Sequence, residues 1–453
     1  MISRRKFLTG SAIAGLFGSS RAFSSNAKST NTTPWYNWSG ELSCVPAGRV
    51  VPKNEAALVD YIQSTSGALR PVGSGHSFSP LVPTDGHIIV IDQLRGLLGY
   101  DEKSGDATFG AGTMLADLGA PLNQVGRAMI NMPDIDRQTF AGAISTATHG
   151  TGISLGGLSD YVRALRLITP TGKILDLDAA SGGDVFEAAR VSLGALGVIS
   201  QITTETRPAY RLKAVTTVKT LEDALDTFDD DAASNRHHEL FPFLYSDYTM
   251  SLSINETDEP DFIPPVDPGA DQQFRDIVDL WMSTPAMLRK PMVDSVVGLL
   301  EPETKVGPSY SVLSNLRHNR FNEMEYAVPL RNGTACLREI LNTVMEQKID
   351  VVYPLEYRYV QGDETWLGMH SGHEDFAAIS IHQQAGYDYK TYFDIAEPIF
   401  WKYGGRPHWG KVHSLGREQL TTLYPRFEDF RKIRAELDPS GRMLNAHLKK
   451  LFL

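Results

Sequence analysis

Two short sets of charged and ring side chains stand out for the chemistry they allow. In Pro354-Leu355-Glu356-Tyr357-Arg358 a carboxylate and a guanidinium sit two residues apart in the apolar, aromatic run Val351–Val360. Residues two apart on a strand project from one face. Glu356 and Arg358 would then act together on whatever that face covers, although an ion pair on a solvated sheet satisfies the same spacing. In Gly405-Arg406-Pro407-His408-Trp409-Gly410-Lys411 a lysine follows a tight turn and two rings. Such a lysine is commonly just solvated; held in a site, it stabilises negative charge that develops during a reaction. His382 ends a further strand-like run, Ala377–His382. His237-His238-Glu239 has the residue types of a metal cluster, but adjacent histidines alternate faces on a strand, so no metal is expected there.

Side chains of this kind need a frame, and three glycine-rich segments supply candidates for it. In Arg70-Pro71-Val72-Gly73-Ser74-Gly75-His76-Ser77-Phe78-Ser79 the glycines let backbone N–H groups turn inward around a phosphate. The Gly-x-Gly-x-x-Gly fingerprint is absent, which excludes a Rossmann turn. Phe140–Gly152 is small at nearly every position, so backbone can approach a flat ligand closely, with Gly142, Ser145, Thr146, Thr148, His149, Gly150 and Gly152 along it. A tightly packed turn between helix and strand is the alternative, and His149 reads as structural there. Gly194-Ala195-Leu196-Gly197-Val198-Ile199 taken alone is core packing ahead of a strand.

Around these segments the chain alternates helices and strands. Asn54 is placed to cap a helix over Glu55–Gln63. Strands are expected at Ile88–Ile91, Ala107–Ala111, Leu165–Thr169 and Ile199–Thr206, and a helix at Met114–Val125 that Pro121 should kink or break. Beyond Pro208 the glycine clusters thin and aromatics increase, with strands at Val351–Val360 and Ala377–His382 and an acidic, proline-rich surface loop at Asn255–Asp271. A helix over Arg426–Leu437 and the turn Asp438-Pro439-Ser440-Gly441 close the chain.

The 453 residues exceed one compact core, so two or more domains are expected. A net charge of -11 argues against nucleic acid and against an anionic membrane surface. Cys44 and Cys336 are the only cysteines and build neither a zinc site nor a disulfide framework. Ser3-Arg4-Arg5-Lys6-Phe7-Leu8 followed by a short apolar run has the layout of a twin-arginine export signal, with cleavage after Ser24 or Ala27. That run is about half the length needed to cross a bilayer, and no stretch elsewhere is long and apolar enough to span one.

The order of the three glycine segments resembles the FAD-binding domain of the vanillyl-alcohol oxidase superfamily, and within it the aldonolactone and alditol oxidoreductase branch. Asn37-Trp38-Ser39-Gly40, the Glu356–Arg358 and His408–Lys411 segments, and Leu437-Asp438-Pro439-Ser440-Gly441-Arg442-Met443-Leu444-Asn445 match that branch too, so the likeness runs from about Trp35 to the end. The resemblance implies an α+β fold of two domains. These are an FAD-binding domain at 35–208, an α/β substrate (cap) domain at 209–400, and a return at 401–453 that completes the first, all behind a signal at 1–27. It implies FAD joined through His76, with Gly73, Ser74, Gly75, Ser77, Phe78, Gly142, Ser145, Thr148, His149, Gly150, Gly152, Val198, Ile199 and His408 around the cofactor. No cysteine stands in 140–160, so one covalent link is expected, not two.

The same resemblance puts Glu356, Arg358 and Lys411 at the reacting carbinol, with His382 beside the substrate. Lys411 or Arg358 would stabilise charge near flavin N1. Glu356, kept ionised by its cations, would orient a diol rather than act as base. A charged pocket suits a small polyhydroxylated substrate, and electrons would pass to oxygen or to a respiratory carrier. A flavin-bearing carrier without turnover is the alternative of another class; it would not need both the Glu356–Arg358 and the Lys411 sets.

Overall fold

The computed structural model describes residues 33–265, 269–315, 319–372 and 374–453. The expected export signal at 1–27 lies outside the described residues. Three sheets carry the molecule. A small parallel sheet is ordered Gly48–Val50, His87–Val90, Leu69–Val72. Beside it an antiparallel sheet is ordered Ile174–Asp178, Val162–Ile168, Val198–Thr204, Ala107–Gly110, Leu97–Tyr100. Helix Glu55–Ser64 begins where expected, with the Asn54 side chain accepting from the Ala57 N–H.

The third sheet is antiparallel and has eight strands, ordered Glu303–Pro308, Arg211–Thr220, Tyr248–Glu256, His237–Pro242, Glu356–Val360, Phe376–Gln384, Phe321–Pro329, Arg406–Pro407. Its central strands are buried on both faces, with helices Gly333–Glu346 and Lys390–Lys402 packed near them. The mixture of helices and sheets is the expected α+β architecture.

Several boundaries move for physical reasons. The strand expected over 351–360 begins only at Glu356, because Pro354 has no N–H to donate and the chain reaches the sheet through Leu355 N–H to Pro242 O. The helix expected over 114–125 is a 3₁₀ turn, Leu115–Asp117, followed by a helix, Gly119–Gln124. The break falls at Leu118, which lets Pro121 sit in the first turn, where its missing N–H costs little. Strand Tyr248–Glu256 extends by two residues into the expected surface loop, whose exposed part starts at Asn255. Both cysteines are free thiols, Cys44 half-buried and Cys336 buried. Among the described residues no helix is long and apolar enough to cross a membrane.

Candidate active site

The three glycine segments converge. A Cβ on Gly73 would fall on Thr139 Oγ1 at 1.9 Å, and one on Gly194 would meet Pro71 Cγ at 2.9 Å. Only glycine lets the first loop pack this closely on the other two. Thr139 caps the short helix Phe140–Ser145 of the second segment. Arg70, fully buried, donates to the carbonyls of Leu81, Leu193, Gly194 and Met443. Burial with no carboxylate beside it pulls its pKa down to about 9. Asn445 donates to the carbonyls of Pro80, Leu81 and Pro83, so the C-terminal segment closes the same cradle.

These loops enclose a cavity lined by Gly73, Ser74, Gly75, His76, Ser77, Phe78, Gly142, Ser145, Thr148, Val198, Ile199 and His408. Three of the residues singled out with them lie elsewhere. Gly150 and Gly152 sit at the seam with the eight-stranded sheet, where Gly152 N–H donates to Tyr359 O. His149 faces the second cavity described below. At Gly152, φ is +141° and a Cβ would strike Arg236 O at 2.9 Å, so the seam itself requires glycine. The His76 ring stacks on Trp38 at 5.1 Å between centroids. Burial, helped by Lys411 and Arg137, lowers its pKa to about 4, so it is a neutral imidazole facing the cavity.

A second cavity of about 480 Å³ lies over one face of the eight-stranded sheet and shares Ile135, Gln138, Thr148, His408 and Lys411 with the first. Strand register builds its polar floor. Arg358 pairs with Glu239 on one side, and Glu356 pairs with Ser380, which in turn pairs with Glu325. Glu323 pairs with His382. Directly opposed residues share a face, so four carboxylates, one guanidinium and one imidazole point together. Glu356, Arg358 and His382 are thus gathered as the sequence suggested. Lys411 joins them from its loop, which Phe78 N–H to Gly410 O and His408 N–H to Glu325 O pin between the two halves.

The pairings differ from expectation in one respect: Lys411 bonds Glu323, with Glu325 at 3.9 Å, rather than Glu356. Arg358 lies 3.2 Å from Glu325, 3.3 Å from Glu356 and 3.9 Å from Glu239. His149 Nε2 is 2.8 Å from Glu325 Oε1. Burial raises the Glu323 carboxyl, but Lys411 and His382 outweigh it and hold the pKa down at about 2. Burial likewise raises Glu325, and His149 with Arg358 more than reverses it. His382 is held above the ordinary imidazole value: burial lowers it and the Glu323 charge overcomes that. Glu239 goes the other way. Burial lifts it to about 7, with Glu356 adding to the lift and Arg358 and a 2.7 Å bond from Thr151 opposing it.

Glu323 and Glu325 were not singled out from the sequence, although Glu323-x-Glu325 repeats the two-residue spacing of Glu356-x-Arg358. His237 and His238 point to opposite sides, one to Thr151 O and the other to Ser253, and no metal-binding group occurs among the described residues. His408 accepts at Nδ1 from the Gly410 N–H and is held neutral by burial, at about 3.

The donor set fits FAD: glycine backbone for a dinucleotide, a neutral histidine on an aromatic shelf, and the Lys411 cation where the two cavities meet. Comparison with known proteins agrees. Residues 202–451 match the model for D-arabinono-1,4-lactone oxidase, and residues 46–178 match an FAD binding domain. The L-gulono-1,4-lactone dehydrogenase of Mycobacterium tuberculosis is 35% identical over 92% of this chain and 98% of its own length. The L-gulonolactone oxidase of Bos taurus is 30% identical over 92% and 97%. The alditol oxidase of a Streptomyces species is 26% identical over 92% and 98%. Cholesterol oxidase from B. sterolicum shares the fold, with a TM-score of 0.75 at 15% identity over 93% of this chain and 96% of that one. The chain therefore belongs to the D-arabinono-1,4-lactone oxidase family, in the aldonolactone and alditol branch of the vanillyl-alcohol oxidase superfamily, and is an FAD-linked oxidoreductase.

Proposed function

We propose that the protein oxidises a carbinol of a sugar-derived lactone or alditol, with FAD carried covalently on His76. The observation that carries this reading is the cluster of Glu356, Arg358 and His382 on the floor of the second cavity, joined there by Lys411, which also lines the first. FAD, when bound, supplies the acceptor for the hydride of the carbinol. Arg358 on the floor of the second cavity and Lys411 at its junction with the first set fixed positive charge, from which a transition state gaining negative charge gains most. Glu356, paired with Arg358, orients neighbouring hydroxyls by accepting from them. The hydroxyl proton passes to the carboxylates of the floor, and Glu239, lifted to about 7, is the one poised to take it near neutral pH. His76, neutral and stacked on Trp38, presents a ring nitrogen able to form the bond to the cofactor.

Oxygen reoxidises the enzyme in this reading. A quinone or cytochrome acceptor is the second reading, favoured by the dehydrogenase relative, which is more similar than the two oxidases. Export by the twin-arginine route belongs to the same proposal and rests on Arg4-Arg5 and the apolar run after them. A flavin carrier without turnover is disfavoured, since the charged cluster has no task in one.

The deciding experiment mixes the purified holoprotein anaerobically with L-gulono-1,4-lactone, D-arabinono-1,4-lactone and a series of alditols. Bleaching of the flavin band is expected with at least one, and air or a quinone then restores it. A flavin that dithionite reduces but none of these compounds does would refute the proposal.

A further inference from the structure

Beyond the charged floor the larger cavity changes character. Along the same sheet face Phe241, Met250, Leu252 and Ile254 follow Glu239, and two helices, Ala270–Ser283 and Ala286–Val297, close over them. Phe274, Ile277 and Trp281 of the first helix and Met292 and Val293 of the second face the space between. Polar side chains are sparse in it, with Gln273 on the first helix and Thr216 beside Leu252. Charged ones return at the far edge, with Glu303 and Lys305 on the outermost strand and Asp134 nearby. Leu280 lines the lobe and is 47% exposed, so the apolar surface reaches the exterior.

A five- or six-carbon polyol does not use such a lobe. Most hydroxyls carried past Glu239 would lie against Phe241, Met250, Leu252 or Ile254, with Thr216 and Gln273 too few to pair them, and an unpaired buried hydroxyl costs more than its carbon gains. An alkyl or aryl chain loses nothing there and gains from leaving water. The volume, about 480 Å³, also falls in the range of about 300–1,000 Å³ that encloses drug-sized ligands.

We infer that the preferred substrate is an amphiphilic alcohol, with a hydroxylated head on the Glu356–Arg358 cluster and an apolar tail between the sheet and the two helices. The inference rests on the alcohol-oxidising reading of the same site and narrows its substrate class. The reaction is otherwise unchanged: the carbinol carbon gives hydride to the flavin, its hydroxyl gives a proton to the carboxylate floor, and a carbonyl remains.

Anaerobic flavin reduction by 1,2-alkanediols of three to ten carbons tests it, beside glycerol and L-gulono-1,4-lactone. The expected result is a rise in kcat/KM of about threefold to fourfold per methylene, levelling once the lobe is full. Ile277→Trp, which fills the lobe, is expected to flatten that rise. A flat series in the wild-type protein, with lactones or polyols still bleaching the flavin, overturns the inference and leaves the proposed function standing. Failure of every alcohol and lactone overturns both.

Discussion

His149 Nε2 lies 2.8 Å from Glu325 Oε1, and the contact joins the second glycine segment to the strand Phe321–Pro329. The other ring nitrogen of His149 faces the carbonyl of Gly150, which only accepts. On the Glu325 side burial raises the carboxyl, and His149 with Arg358 more than reverses it, so the carboxylate is held below its ordinary range. Glu325 also serves Arg358, so one carboxylate anchors both sides of the seam.

Glu325→Gln therefore leaves the buried Arg358 guanidinium and the His149 ring each short of a carboxylate partner. Breaking a buried pair from one side costs about 3–5 kcal/mol, and urea unfolding of the holoprotein should show a loss of that order. A variant within about 0.5 kcal/mol of wild type would mean that the pair contributes nothing to holding the halves together.

Glu239 sets a pH dependence whose sign is fixed by burial. Its carboxyl keeps a proton up to about pH 7, whereas an unfolded glutamic acid releases it near pH ~4.3. The folded protein thus binds more protons in that window, and the Glu239 contribution to stability falls as pH rises through it. Activity runs oppositely, since only the ionised form accepts a proton: flavin reduction should quicken through pH 7. In Glu239→Gln that limb should vanish; its persistence would assign the proton to another group.

Lys411 is tied to Glu323 and stands at the rim of both cavities. Lys411→Met should slow flavin reduction about 10²–10³-fold, the cost of losing one preorganised donor, and Lys411→Arg should recover part of it. Stopped-flow rates at saturating substrate separate the roles. An unchanged rate with a raised KM would make Lys411 an anchor for substrate instead.

For His76 the readout is colour. Acid-precipitated wild-type protein should stay yellow, with the flavin on the peptide containing His76. His76→Ala should fold, bind FAD reversibly and release it into the supernatant under acid. Yellow protein after acid treatment of the variant would place the link at another residue.

The sequence showed the cradle more clearly than the floor. Glycines at 73, 75, 142 and 194 are visible because a missing side chain is itself the signal for close approach. Glu323 and Glu325 were hidden for the opposite reason: two acids alternating with Asn322 and Met324 read like any solvated strand face. Only the register with Phe376–Gln384 places them under Lys411 and Arg358. His149 reads as a loop histidine in the sequence because its partner is 176 positions away. The lobe behind Glu239 could not be read at all, since helix residues such as Phe274 and Ile277 look the same whether they meet a core or an open space.

Arg70 and Asn445 bind the first glycine loop to carbonyls and segments drawn from opposite ends of the chain. The cradle consequently closes only once Asn445, 365 positions beyond Pro80, has been made. While residues 443–445 are still to be made, Arg70 lacks one of its carbonyls and the turn at Pro80–Pro83 has no clasp. Stable cofactor capture thereby waits on residues 443–445, and a chain lacking them would be marked by its inability to keep its colour.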